Sequence, residues 1–157
     1  MMNRVIIYTD GACLNNPGPG GYAVVMIFGN MRKELSKGFR KTTNNRMELL
    51  AVIEAMRSLK RTDIPVILHS DSAYVVNAIN NKWVFGWQKK GFKNKKNPDL
   101  WKMFLELYPA FNIEFKWIKA HVGIIENERC DVLAKTAAEN PTEIDLVYES
   151  TDPSLFE

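Results

Sequence analysis

Cysteine is scarce in this chain of 157 residues, where Cys13 and Cys130 stand alone. Far apart and in different contexts, they have neither metal-ligand nor redox spacing, which excludes a disulfide scaffold and leaves two reduced, inert thiols. No apolar run approaches the ~18 residues that a membrane-spanning helix needs. The opening MMNRVIIYTDG lacks the cleavage pattern of a signal peptide and the Arg/Ser-rich, acid-poor character of a transit peptide, so a cytoplasmic location is expected. Internal repeats and linkers are also missing, and histidine occurs only at His69 and His121. The most informative absence is that of acid between Lys82 and Lys96, a stretch that holds six lysines. The net charge of +3 is therefore local: outside that stretch 15 of the 21 Lys and Arg face 18 Asp and Glu. Local basicity of this kind suggests a docking surface for a polyanion.

With 46% apolar and 25% charged residues, the composition is that of an ordinary globular protein. The length suits one domain, which buries roughly 70% of its unfolded surface. Val5 to Thr9, Tyr22 to Phe28 and Met31 to Phe39 are β-rich runs, the last two joined by Gly29-Asn30, and they read as a three-stranded antiparallel meander. A helix from about Arg46 to Lys60 follows, and Val66 to His69 is a fourth strand, parallel to a neighbour by the rule for β-helix-β crossovers. Ser70-Asp71-Ser72 caps a helix to about Ile79, Asn97-Pro98-Asp99 opens another to Tyr108, and Ile113 to Trp117 alternates as a fifth strand. A last helix covers about Glu128 to Ala138. The expected architecture is α/β, a mixed five-stranded sheet of three antiparallel and two parallel strands flanked by helices. The expected organisation is one catalytic domain over residues 1–140, with a basic protrusion at about 80–97, and a loosely ordered tail over 141–157.

Four carboxylates sit where local patterns give them weak reasons to be. Glu48 lies on the apolar arc of the first helix, although Asn45 three residues before it fits a capping box. Asp10 ends the first strand as T-D-G and Asp71 ends the fourth as H-S-D-S, positions that a turn and a helix cap explain equally well. Asp131 is spaced for an i,i+4 ion pair with Lys135. Parallel strands one and four would bring Asp10 and Asp71 to the same carboxyl end of the sheet. Four converging carboxylates repel one another unless a cation neutralises them, and such an oxygen set with room for water suits Mg²⁺. A pair of such ions activates water and stabilises a leaving oxygen in phosphodiester cleavage.

The segments YTDGACLNNPGPGGY, TTNNRMELLA, SDSAYV, the W-x-x-x-W of the lysine stretch and HVGIIENERCDVLA, in that order from Tyr8 to Ala134, resemble the type 1 ribonuclease H family. The resemblance implies the ribonuclease H-like fold and endonucleolytic hydrolysis of the RNA strand of RNA/DNA hybrids without sequence specificity. It implies 5′-phosphate and 3′-hydroxyl ends, a monomer, and a role in clearing RNA from replication primers and R-loops. It implies a catalytic set of Asp10, Glu48, Asp71, His121 and Asp131, the four acids holding two Mg²⁺ with Mn²⁺ as a substitute, and His121 moving protons or assisting product departure. It further implies hybrid binding by Asn16, Thr43, Asn44 and Asn45, and by Lys82, Trp83, Trp87, Lys89 and Lys90 of the protrusion, Thr43 belonging to a pocket for a DNA phosphate. His69, two residues before Asp71, reads as a satisfied core histidine. Ser72 departs from the glutamine of many relatives and is too short for the same groove contact. The adjacent isoleucines after His121, Ile124 and Ile125, are expected to pack against the body and restrain the loop. On residues alone, a non-catalytic nucleic-acid-binding module and a resolvase- or integrase-like nuclease remain alternatives.

Overall fold

The computed structural model describes residues 3–120 and 123–151. β1 (Val5–Cys13), β2 (Gly18–Phe28) and β3 (Met31–Thr42) form an antiparallel meander, and β4 (Val66–Ser70) and β5 (Ile113–Trp117) add to the other side of β1 in parallel. The sheet order is β3-β2-β1-β4-β5. α1 (Asn44–Ser58) makes the crossover between β3 and β4, and α2 (Ala73–Asn80), α3 (Trp83–Lys89) and α4 (Pro98–Leu107) lie between β4 and β5. α5 (Ile125–Glu139) and the short α6 (Leu146–Thr151) follow. The expected mixed sheet is present, with longer strands: the glycine-rich run after Asp10 continues β1 to Cys13 and opens β2 at Gly18, which confines the turn to residues 14–17.

Alternation along the strands divides the core in two. On one face Val5, Ile7, Val24, Val66 and Leu68 meet the apolar side of α1, where Leu49, Val52, Ile53, Ala55 and Met56 have no exposed surface. Trp101 and Phe104 of α4 extend this core; Trp87 packs edge-on against Trp101, Tyr108 stacks on Phe104, and Phe85 lies tilted against Tyr108. The other face is built from smaller residues, Ala23 and Val25 against Cys130 and Ala134 of α5. There α5 comes so close to the meander that a Cβ on Gly38 would collide with the Ala137 carbonyl. The Cys130 thiol donates to the Tyr8 carbonyl and burial pushes it up, consistent with an inert thiol; His69 stacks on Tyr8 with Nδ1 3.2 Å from the Ile7 carbonyl.

Within the lysine stretch Trp83–Lys89 is helical, and the buried Val84 and Phe92 anchor the protrusion to the body. One expectation needs correction: the chain beyond Pro141 is docked as far as Thr151 instead of loosely ordered. Thr142 and Glu143 donate to the Gly38 carbonyl, Arg40 N–H donates to the Glu143 carbonyl, and Arg40 pairs with Glu149 at 2.8 Å. The anchor is Asp145, 9% exposed, which accepts from Thr42 Oγ1 and Arg46 Nε at 2.7 Å each. Removing one partner of a buried ion pair strands the other charge, so this contact is costly to break.

The close approach at Gly38 has a measurable consequence. Gly38→Ala must push α5 away from β3, and overpacking of this kind costs about 1–3 kcal/mol, to be read from urea unfolding as a lower midpoint with an unchanged slope.

Candidate active site

The pairing of β1 with β4 stops at Thr9–Ser70, so Asp10 and Asp71 are the first residues past the last parallel pair. There β1 stays bonded to β2 while β4 turns away into α2. Asp10 thus does not end its strand; it sits where the sheet splits, its Oδ1 accepting from Gly11 N–H at 2.9 Å. Ser72 caps α2 by accepting from Val75 N–H, which leaves the Asp71 carboxylate out of the cap. The Trp117 indole donates to the Asp71 carbonyl at 3.2 Å and steadies that turn from β5.

Glu48 reaches the same place from α1. The cap of that helix is Thr43, whose hydroxyl accepts from Arg46 N–H at 3.2 Å, so Asn45 lies inside the helix and the capping box is absent. Gly11 makes the approach possible, since a Cβ there would lie 2.6 Å from the Met47 carbonyl carbon and collide with the Glu48 amide. Glu48 is 5% exposed, and its Oε1 is buried without a hydrogen-bond partner. One oxygen from each of Asp10, Glu48 and Asp71 lies within 4.8 Å of the others.

Burial, then repulsion from Asp71 and Asp131, pushes the Asp10 carboxyl from its ordinary 3.8 up to about 8. Burial, then repulsion from Asp10 and Asp71, holds Glu48 well above the carboxylate range. Three hard oxygen donors, one orphaned and two unwilling to ionise together, fit a divalent cation of the Mg²⁺ or Mn²⁺ type and no soft metal. Asp131 is brought to the same cavity, near enough to raise Asp10, but it pairs with Lys135 at 3.0 Å as its i,i+4 spacing suggests. His121 lies outside the described residues. Ile125 is 78% exposed, so the expected packing of both isoleucines against the body does not hold.

The acids open into a cavity of about 610 Å³ that also includes Asn44, Asn45, Ser72, Tyr74 and Lys135. A neighbouring cavity of about 650 Å³ shares Asn45 with it and adds Asn16, Thr43, Lys96 and Asn97. A third, of about 450 Å³, shares Tyr74 with the first and Lys96 with the second, and runs between α2 and Trp83 and Trp87. The three cavities therefore form one surface. Asn16 is tied into it, its Oδ1 accepting from Asn44 N–H at 3.0 Å. Trp83 is 50% exposed, whereas Trp87 packs edge-on against Trp101 with the Lys95 ammonium 5.0 Å from its ring centre. Lys82, Lys89 and Lys90 are exposed on the same protrusion. Sequence reasoning did not select Lys135 or Trp117 as functional, nor the C-terminal residues Val147 and Thr151 that wall the second cavity. A helix-spaced Asp-Lys pair and a strand tryptophan carry no local mark of a site.

The family described as RNase H matches residues 2–139. The chain is 55% identical over 140 residues to Ribonuclease H of Syntrophus aciditrophicus (strain SB), covering 86% of this chain and 80% of that relative. It is 51% identical over 154 residues to Ribonuclease H of Shewanella amazonensis (strain ATCC BAA-1098 / SB2B), covering 94% and 97%. Among solved structures it is similar to LC9-RNase H1, a type 1 RNase H with the type 2 active-site motif, at TM-score 0.80 and 33% identity over 90% of this chain and 75% of that one. It is also similar to LC11-RNase H1 in complex with RNA/DNA hybrid, at TM-score 0.65 and 28% identity over 87% of this chain and 97% of that one.

The carboxylate cluster imposes a pH dependence on the metal-free protein. Asp10 and Glu48 hold protons in the folded chain that the unfolded chain releases near pH 4, so the folded state binds more protons and stability falls as pH rises from about 4 towards 8. Thermal unfolding in chelator should show this fall. Millimolar Mg²⁺ should raise Tm at pH 8 and leave it nearly unchanged at pH 5, and Asp10→Asn should flatten both effects.

Proposed function

Since the chain belongs to the ribonuclease H family, enzymes that cleave the RNA of RNA/DNA hybrids, we propose that it is a divalent-metal-dependent endoribonuclease that hydrolyses the RNA strand without sequence specificity. The observation that carries this reading is the buried cluster of Asp10, Glu48 and Asp71, with its unpartnered Glu48 oxygen, at the centre of a continuous surface of amides and lysines. LC11-RNase H1, similar in fold, binds an RNA/DNA hybrid.

Asp10, Glu48 and Asp71, with Asp131 from the facing helix, would hold Mg²⁺, or Mn²⁺ in its place. When bound, the ions would lower the pKa of an attacking water and place positive charge opposite the developing oxyanions. Everything else falls to the chain. Asn16, Asn44 and Asn45 both donate and accept, as reading a minor groove lined with 2′-hydroxyls requires. Thr43 uses its hydroxyl oxygen to accept from Arg46 N–H and keeps its O–H for a phosphate oxygen of the DNA strand. Lys82, Lys89 and Lys90 contact phosphates from the protrusion, and Trp83 and Trp87 offer flat surfaces to the sugar-phosphate chain, contacts that give affinity without reading sequence. His121, by the family resemblance, exchanges protons or helps the product leave. The products are 5′-phosphate and 3′-hydroxyl ends, and the cellular substrates are hybrids such as primers and R-loops in the cytoplasm, met by a monomer.

The decisive assay uses labelled RNA/DNA, RNA/RNA and DNA/DNA duplexes with and without Mg²⁺. Cleavage of the hybrid alone, and with metal alone, is expected; metal-independent cleavage, or cutting of the DNA duplex, would refute the reading. Asp10→Asn should abolish turnover while hybrid binding stays within about threefold, because the carboxylate acts on the reaction more than on docking. Replacing Lys89 and Lys90 together by alanine should weaken hybrid binding and lower the slope of log K against log salt by about 1–2, which titration at several salt concentrations measures.

A further inference from the structure

The cavity that holds Thr43 is bounded by four segments distant in sequence. Asn16, Thr43 and Asn45 come from the β1–β2 turn and the start of α1, Lys96 and Asn97 from the approach to α4, and Val147 and Thr151 from α6. One side chain ties the last two segments to α1. The Arg46 guanidinium, 4% exposed, donates through Nε and Nη2 to Asp145 at 2.7 and 3.0 Å. It donates through Nη1 and Nη2 to Asp99 at 2.9 and 2.7 Å, and through Nη1 to Asn97 Oδ1 at 3.3 Å.

Arg46 follows Asn45 in the chain, and its amide is the group that Thr43 caps. Thr42, the residue before Thr43, donates its hydroxyl to the same Asp145 oxygen that Arg46 Nε uses. Asp145 also accepts from Tyr148 N–H at 3.3 Å and so starts α6. A single carboxylate thus grips both sides of the Thr43–Asn45 segment and places the helix that faces it.

We infer that Asp145 is a positioning residue for the hybrid, and that α6, the segment it anchors, forms one wall of the subsite that receives a backbone phosphate at Thr43. The inference rests on the hybrid-cleaving reading above. Without Asp145, Arg46 keeps Asp99 but loses the acceptors of Nε and one Nη2 hydrogen, while Thr42 loses its bond. The cap of α1 and the opposite wall then move independently of each other. The phosphate would meet a Thr43 hydroxyl no longer held to the geometry of its donor.

The test is steady-state cleavage by the full chain carrying Asp145→Asn, Asp145→Glu, Thr151→Glu or Thr151→Lys, at a temperature where each variant is folded by circular dichroism. Two hybrids are compared, with DNA strands of ordinary phosphodiesters or of uncharged methylphosphonates. Asp145→Asn should raise KM about fivefold on the ordinary hybrid with kcat within about twofold, and Asp145→Glu should restore most of the loss. Thr151 is exposed, so its variants fold even where Asp145→Asn does not; an added carboxylate should raise KM and an added ammonium lower it. On the methylphosphonate hybrid these differences should disappear. A KM that is unchanged or lower in folded Asp145→Asn, a loss confined to kcat, indifference to charge at Thr151, or equal effects on both hybrids would overturn the inference. Failure of the unmodified chain to cleave the ordinary hybrid is a separate result, and it would overturn the functional reading beneath it.

Discussion

The repulsion among three carboxylates, two buried and one half-buried, is the constraint around which the molecule is arranged. Asp10, Glu48 and Asp71 place oxygens within 4.8 Å of one another with Asp10 and Glu48 withdrawn from water, and the protein leaves Glu48 Oε1 without a donor. Such a cluster destabilises the metal-free fold, and it persists because its neighbours are strongly held. Met47, Leu49, Val52 and Ile53, which flank Glu48 on α1, have no exposed surface, and Asp10 lies in a strand bonded to β2 beyond the point where β4 departs. Local disagreement between burial and charge, supported by consistent structure around it, marks this cluster as a candidate cation site.

Arg46 makes the contrast clear. It stands two residues before Glu48 on the same helix and is equally buried, yet Asp99 and Asp145 answer its charge within the protein. The difference in partnering separates their roles. A buried ionisable group with its full set of partners holds segments together, whereas one without them is open to a partner from outside the chain. Burial alone would not have distinguished the two.

Close packing on both faces of the sheet then decides how accurately the acids meet. Gly11 lets the start of α1 descend onto β1, which carries Glu48 to Asp10. Gly38 lets α5 lie directly on the meander, and α5 brings Asp131 and Lys135 to the rim. Both glycines act by the absence of a side chain, so their contribution is visible only when the opposing backbone is in place. The aromatic protrusion follows the same logic, with Phe92 and Val84 buried so that Trp83 and the lysines can remain outside.

What the sequence determined by itself was local or chemical in kind. Alternation and helical spacing located all five strands and four of the helices, residue type singled out the four acids and the lysine stretch, and the amides were named only through the family resemblance, because the first two signals reside in a few neighbouring positions. The tertiary structure decided the matters that depend on distant partners or on near-equal local choices. Thr43 rather than Asn45 caps α1, and Ser72 rather than Asp71 caps α2, since several adjacent side chains could make the one hydrogen bond a cap requires. That oxygens of Asp10, Glu48 and Asp71 meet follows from the strand register and the approach of α1, whereas the Asp131–Lys135 pair follows from helical spacing alone. The docking of the chain end rests on Asp145 and Arg46, 99 positions apart, an ion pair that no local pattern records because each residue alone resembles an ordinary surface charge.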